Sequence, residues 1–142
     1  MAPDADQLIA FQGYPGAYSH LACREAYPDL EALPCESFED AFDAVKSGRA
    51  HLAMIPIENS VAGRVADIHT LMPDSGLFIV AEHFQRVNHC LLTVPGAAVG
   101  DLKSVHSHIQ ALSQCRNLIR DLGLNAEIEA DTAGSAKDIA AR

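Results

Sequence analysis

The chain has 142 residues, 49% of them apolar and 20% charged, and a formal net charge of −9; that balance excludes a basic nucleic-acid surface. The longest apolar runs fall short of the ~20 residues of a membrane-spanning helix, and the acidic, polar start from Met1 to Gln7 is unlike a signal peptide, so a cytoplasmic protein is expected. Its length allows one domain or two small lobes.

Leu8 to Phe11 reads as a short strand that enters the turn Gln12-Gly13-Tyr14-Pro15-Gly16. A helix follows from near Ala17, with Leu21, Ala22 and Ala26 on one side, and stops at Pro28. Glu31 to Glu36 is a second strand. Ser37-x-x-Asp40 then resembles a capping box ahead of Phe38, Ala41, Phe42 and Val45 at helical spacing, and Gly48 closes that helix. The apolar run from Leu52 to Ile57 completes β-α-β-α-β, a pattern whose right-handed crossovers imply a mostly parallel sheet. Arg64 to Met72 reads as a short helix ended by Pro73 and Gly76.

Beyond Gly76 the pattern changes. Leu77 to Phe84 and Val87 to Val94 are adjacent runs rich in β-branched and aromatic residues, expected to be strands with no helix between them. A first lobe over residues 1–76 and a second over 77–142 are therefore expected. In the second, Leu102 to His106 is a strand and Ile109, Leu112, Cys115, Ile119 and Leu122 mark a helix ended by Gly123. A strand from Asn125 to Ala130 leads through Asp131-Thr132-Ala133-Gly134-Ser135 into a last helical segment.

Cys23, Cys35, Cys90 and Cys115 are scattered without a C-x-x-C pair and read as reduced core thiols. His106-x-His108 with His89 lacks a matching carboxylate in the sequence, so no metal site is expected. Neither a dinucleotide fingerprint nor a P-loop occurs. What remains are four strand-to-helix junctions that carry small or hydroxyl residues: Gly13 to Ser19, Glu58 to Gly63, Ser107 to Gln110 and Thr132 to Ser135. In open α/β sheets ligands bind beyond the carboxyl ends of the strands, and helix N-termini favour anions. Against a net charge of −9, such local dipoles would have to hold any anionic ligand. Ser107-x-x-Gln110 reads as a capping box, with Gln114 one turn further on the same face. Asn59 and Ser60 suit either a site or a helix cap, and Glu58 either acid–base work or structural hydrogen bonding.

Four motifs in succession, Phe11-Gln12-Gly13-Tyr14-Pro15-Gly16-Ala17-Tyr18-Ser19, Pro56-Ile57-Glu58-Asn59-Ser60-Val61-Ala62-Gly63, Ser107-His108-Ile109-Gln110-Ala111-Leu112-Ser113-Gln114-Cys115 and Asp131-Thr132-Ala133-Gly134-Ser135-Ala136, resemble the signatures of prephenate dehydratase. The resemblance runs in order over nearly the whole chain. It implies a two-lobed α/β fold like the type 2 periplasmic binding proteins, with a site in the cleft between lobes. It also implies conversion of prephenate to phenylpyruvate without a cofactor, with arogenate dehydratase or a non-catalytic anion-binding module as the alternatives. By matching position, Asn59 and Ser60 would orient substrate from the first lobe and Ser107 and Gln114 from the second, with Glu58 in support. Gly13, Gly16, Tyr18, Ser19, Gly63, Gln110, Thr132, Ala133, Gly134 and Ser135 would line the substrate. A homodimer or higher homo-oligomer is expected. Two departures stand out: Ile109 replaces the family's usual proline, and the family's Thr-Arg-Phe motif, with its threonine proton donor and substrate-binding arginine, does not occur. On that ground this chain is expected to be catalytically incomplete.

Overall fold

The computed structural model describes residues 4–141. They fall into two compact units that divide between Arg86 and Val87, and the boundary expected after Gly76 lies inside the first of them.

The first unit is built on a parallel sheet in the order β2-β1-β3, formed by β1 (Leu8–Gln12), β2 (Glu31–Cys35) and β3 (Leu52–Met54). Leu8 lies opposite Glu31, and Ile9 opposite Leu52. As the central strand, β1 is covered on both faces, because successive side chains alternate across a strand. Ile9 and Phe11 pack with Cys23 of α1 (Tyr18–Ala26), while Ala10 packs with Ala41 and Ala44 of α2 (Phe38–Lys46). That double coverage explains why Ile9, Ala10 and Phe11 are all fully buried. The predicted capping box of α2 is present: Asp40 N–H donates to Ser37 Oγ at 3.1 Å, and Ser37 N–H donates to Asp40 Oδ2 at 3.2 Å. Losing such a cap costs about 1 kcal/mol.

Two predicted elements of this unit are three residues shorter than expected. The strand begun at Leu52 ends at Met54 rather than Ile57, since the pairing with β1 stops at Phe11 opposite Met54 and Pro56 has no N–H to continue a ladder. The helix read from Arg64 begins only at Ala66 (α3, Ala66–Leu71). Between them lies a two-residue antiparallel pair, β4 (Glu58–Asn59) with β5 (Gly63–Arg64).

The second unit carries β6 (Ser104–Ser107) and β7 (Asn125–Ile128), paired in parallel with Ser104 opposite Asn125 and Ser107 opposite Ile128. Helices α4 (Ile109–Asp121) and α5 (Thr132–Ala140) follow the two strands. Leu112, Leu124 and Ser135 are its buried residues. The strands expected over residues 77–84 and 87–94 do not form. Their β-branched and aromatic composition suits a strand, but among the described residues no backbone pairs with them, and Phe78 and Phe84 are 87% and 86% exposed. Pattern alone does not supply the neighbouring chain that a strand requires.

Candidate active site

The sheet order turns the four junctions into two adjacent pairs. β1 and β3 are neighbours and run the same way, so the turn after Gln12 and the segment after Met54 leave the same edge of one sheet. In the second unit β6 and β7 likewise deliver Ser107-His108 and Asp131-Thr132 to one edge. A hollow of about 380 Å³, lined by Asp6, Tyr27, Leu30, His51 and Leu52 among others, lies at the opposite, amino-terminal ends of the first unit's strands, away from these residues.

In the first unit, the turn after β1 requires left-handed backbone at Gly13 and Gly16, with φ of 114° and 97°, which side-chain-bearing residues rarely adopt. Gly13 N–H donates to the carbonyl of Cys35 at 2.9 Å, tying the turn to β2. Gly16 N–H donates to His20 Nδ1 at 2.9 Å, and the His20 ring stacks on Phe11 with centroids 5.4 Å apart. His20 was not among the residues singled out from sequence. Its signal was the spacing to Gly16, one helical turn, but nothing in the sequence revealed the stacking that fixes its ring. Tyr18 and Ser19 open α1 beside this turn.

Asn59 does not cap a helix. Its Oδ1 accepts from the N–H groups of Val61 and Ala62, each at 2.9 Å, closing the tight β4-to-β5 turn in which Gly63 lies opposite Asn59. The side-chain amide NH2 makes no hydrogen bond among the described residues. Asn59 is thus half-buried, with its acceptor used locally and its two donor hydrogens free. Ser60 and Glu58 are exposed beside it, and Glu58 lies opposite Arg64 in the register.

The expected Ser107–Gln110 capping box is absent. Ser107 is the last residue of β6, and the cap of α4 is His108, whose Nδ1 accepts from Gln110 N–H at 3.3 Å. A one-residue offset between strand end and helix start puts the histidine in the capping position. Gln114 pairs through Oε1 with His89 Nε2 at 3.1 Å, a partner that sequence reading left aside. At the second junction, Asp131 is the cap: its Oδ1 accepts from Gly134 N–H at 2.6 Å, and its carbonyl accepts from Ser135 Oγ at 2.6 Å. A Cβ on Gly134 would sit 2.7 Å from Asp131 Oδ2, so glycine is needed there for close approach. Ser135 is buried and its hydroxyl serves the helix, so it is not presented at the surface, whereas Thr132 is exposed and Ala133 half-buried at the first turn.

Burial raises the thiols of Cys23, to about 11, and of Cys35, which fits the expected buried thiols for these two; Cys90 is exposed and Cys115 half-buried. Among the described residues no cluster of His, Cys, Asp or Glu has metal-holding geometry, and no helix is long and apolar enough to cross a membrane.

Comparison with known proteins agrees with the motif succession. The family model for prephenate dehydratase matches residues 9–142. The chain is 54% identical over 134 residues to a protein of Komagataeibacter europaeus named bifunctional N-acyl-homoserine lactone acylase/prephenate dehydratase, covering 94% of this chain and 48% of that protein. It is 47% identical over 132 residues to the Arabidopsis thaliana arogenate dehydratase/prephenate dehydratase 2, covering 93% of this chain and 35% of that one. A solved structure described as a novel type of quorum quenching acylase superposes with a TM-score of 0.83 at 55% identity, covering 93% of this chain and 48% of that one. The chain therefore spans about half the length of these relatives, or less.

Proposed function

The chain belongs to the prephenate dehydratase family, and from that membership we propose that it acts in the decarboxylating dehydration of prephenate to phenylpyruvate, within the two-lobed architecture of type 2 periplasmic binding proteins. The observation that carries the reading is the free amide of Asn59, held at the sheet edge by two hydrogen bonds that use only its oxygen. A donor fixed in this way suits a carboxylate or hydroxyl oxygen and costs no reorganisation at the moment of reaction.

Prephenate carries two carboxylates and a ring hydroxyl. The bond from ring carbon to carboxylate breaks, its electron pair enters the ring, and the hydroxyl leaves as water after taking up one proton; the products are CO2, water and the aromatic keto acid. Aromatisation supplies the driving force, so the protein's task is to orient the dianion and favour departure of the hydroxyl. In this reading Asn59 and Ser60 orient substrate from the first unit, with Glu58 supporting them. In the second unit Ser107 and Gln114 take the corresponding role, beside the first helical turns at Gln110 and Thr132-Ala133. Gly13, Gly16 and Gly63, whose left-handed turns carry no side chain, let the backbone approach the substrate closely, with Tyr18 and Ser19 flanking. The test is phenylpyruvate formation from prephenate and from arogenate, with this chain and with the chain extended to the length of its relatives. Turnover of prephenate is expected in the extended chain; its absence there overturns the reading, and preference for arogenate selects the alternative substrate.

A second reading, acyl transfer beside dehydration, is favoured by two observations: the acylase activity in the name of the 54% identical protein and in the description of the 55% identical structure.

A further inference from the structure

We propose that Ser104, His106 and Glu129 form a nucleophile, base and carboxylate relay on the sheet of the second unit, competent for acyl transfer from small carboxylic esters and amides. The inference rests on the second reading above for its reaction class and supplies the residues for it.

Ser104 and His106 are two apart on β6, so their side chains leave the same face. The parallel register places His106 opposite Glu127, and the chain continues to Glu129, two residues on and so on that same face. Glu129 is fixed by its N–H, which donates to the Ser107 carbonyl at 2.9 Å. His106 Nδ1 lies 3.0 Å from Glu129 Oε1, and His106 Nε2 lies 3.0 Å from Ser104 Oγ. An ionised carboxylate only accepts, so Nδ1 carries the ring proton. Nε2 of the neutral ring then offers its lone pair, and the Ser104 hydroxyl must donate to it. The His106 side chain is only 16% exposed and Glu129 41%, while Ser104 is exposed and its Oγ makes no other hydrogen bond among the described residues. A hydroxyl open to solvent, bonded to a base that a third group orients, is the arrangement that activates a serine. The carboxylate that sequence reading could not match to a histidine is Glu129, brought there by strand pairing.

In the step proposed, Ser104 Oγ bonds to the acyl carbon as its proton passes to His106 Nε2. The bond from acyl carbon to the leaving oxygen or nitrogen breaks, and that atom takes the proton back from Nε2. Water, deprotonated by His106, then attacks the Ser104 ester, releasing the carboxylic acid and restoring the hydroxyl. Glu129 is a positioning residue, holding the tautomer and the imidazolium that forms.

The probe is p-nitrophenyl acetate with the 142-residue chain. Release of p-nitrophenolate is expected, together with a gain of one acetyl group by intact mass that peptide mapping places on Ser104. Ser104→Ala should lower the rate on the order of a hundredfold and remove that adduct, and Glu129→Gln should slow acetylation of Ser104 while circular dichroism stays unchanged. Acetyl groups confined to lysine or histidine side chains, with an unaltered rate in Ser104→Ala, would overturn the assignment and leave the second reading standing. A wild-type rate no greater than that of free imidazole would overturn both. Mapping the adduct on the wild-type chain decides the matter even where a variant fails to fold.

Discussion

Substitution of Asn59 separates its structural hydrogen bonds from its free donor, because the two belong to different atoms of one amide. Asn59→Ala removes both bonds from Val61 and Ala62. At about 0.5–1.5 kcal/mol each, and with water able to replace them at a half-exposed turn, the loss to the turn should be on the order of 1 kcal/mol. Asn59→Asp keeps an oxygen for both N–H groups and replaces only the NH2, putting a carboxylate where the donor stood. If that donor holds a substrate oxygen, its loss removes about 1.5–3 kcal/mol of charge-assisted hydrogen bonding, which is roughly 10- to 100-fold in rate, and repulsion between the new charge and the dianion adds to it. The prediction is therefore an inversion: Asn59→Asp folds like the parent yet has the lower kcat/KM of the two, and Asn59→Ala loses stability and less activity. Urea denaturation and phenylpyruvate formation, measured on the chain extended to the length of its relatives, give both quantities. An Asn59→Asp variant with parental kinetics would refute the role of the free amide and reduce Asn59 to a turn residue.

Three further outcomes follow from the geometry. Ile109→Pro should stabilise the second unit by about 0.4–1 kcal/mol, since Ile109 is the first residue of α4 and His108 before it has φ −63° and ψ 144°, the conformation a following proline prefers; an unchanged or lower urea midpoint counts against this. Replacing Ser107 and Gln114 together by alanine should weaken calorimetric binding of a dicarboxylate substrate analogue roughly tenfold, and unchanged affinity would leave Gln114 only its bond to His89. Burial raises the Cys23 thiol from 9.0 to about 11, so its contribution to stability is complete below about pH 9 and is lost as pH rises through about 11; over that window the parent should lose more stability than Cys23→Ala, and parallel losses in the two proteins would contradict the assignment.

The limits of the sequence reading follow from which interactions are local. The capping box at Ser37 and Asp40 was legible because both partners lie within one helical turn, and the three strands of the first sheet were legible because β1 needs apolar residues on both faces. Boundaries failed where the deciding partner lay elsewhere. The strand from Leu52 stops where its pairing with β1 ends, Phe11 opposite Met54, and Leu77 to Phe84 has strand-favouring composition but no neighbour among the described residues. Asn59, Ser60 and Ser107 became candidates because they follow strands in sequence and Gln114 because it lies one turn beyond Gln110, yet the bonds that fix Asn59 and Gln114 were not foreseen, and neither was the replacement of Ser107 by His108 as helix cap. His106 lies on β6 and Glu129 one residue past the end of β7, and only the parallel register makes them hydrogen-bond partners. A histidine without a nearby carboxylate in sequence is therefore weak evidence against a relay in a parallel sheet: each strand brings its residues beside those of a neighbour that is a whole helix away along the chain. For such folds the search for a base's partner belongs at the matching position of the adjacent strand, two residues to either side, where side chains share a face.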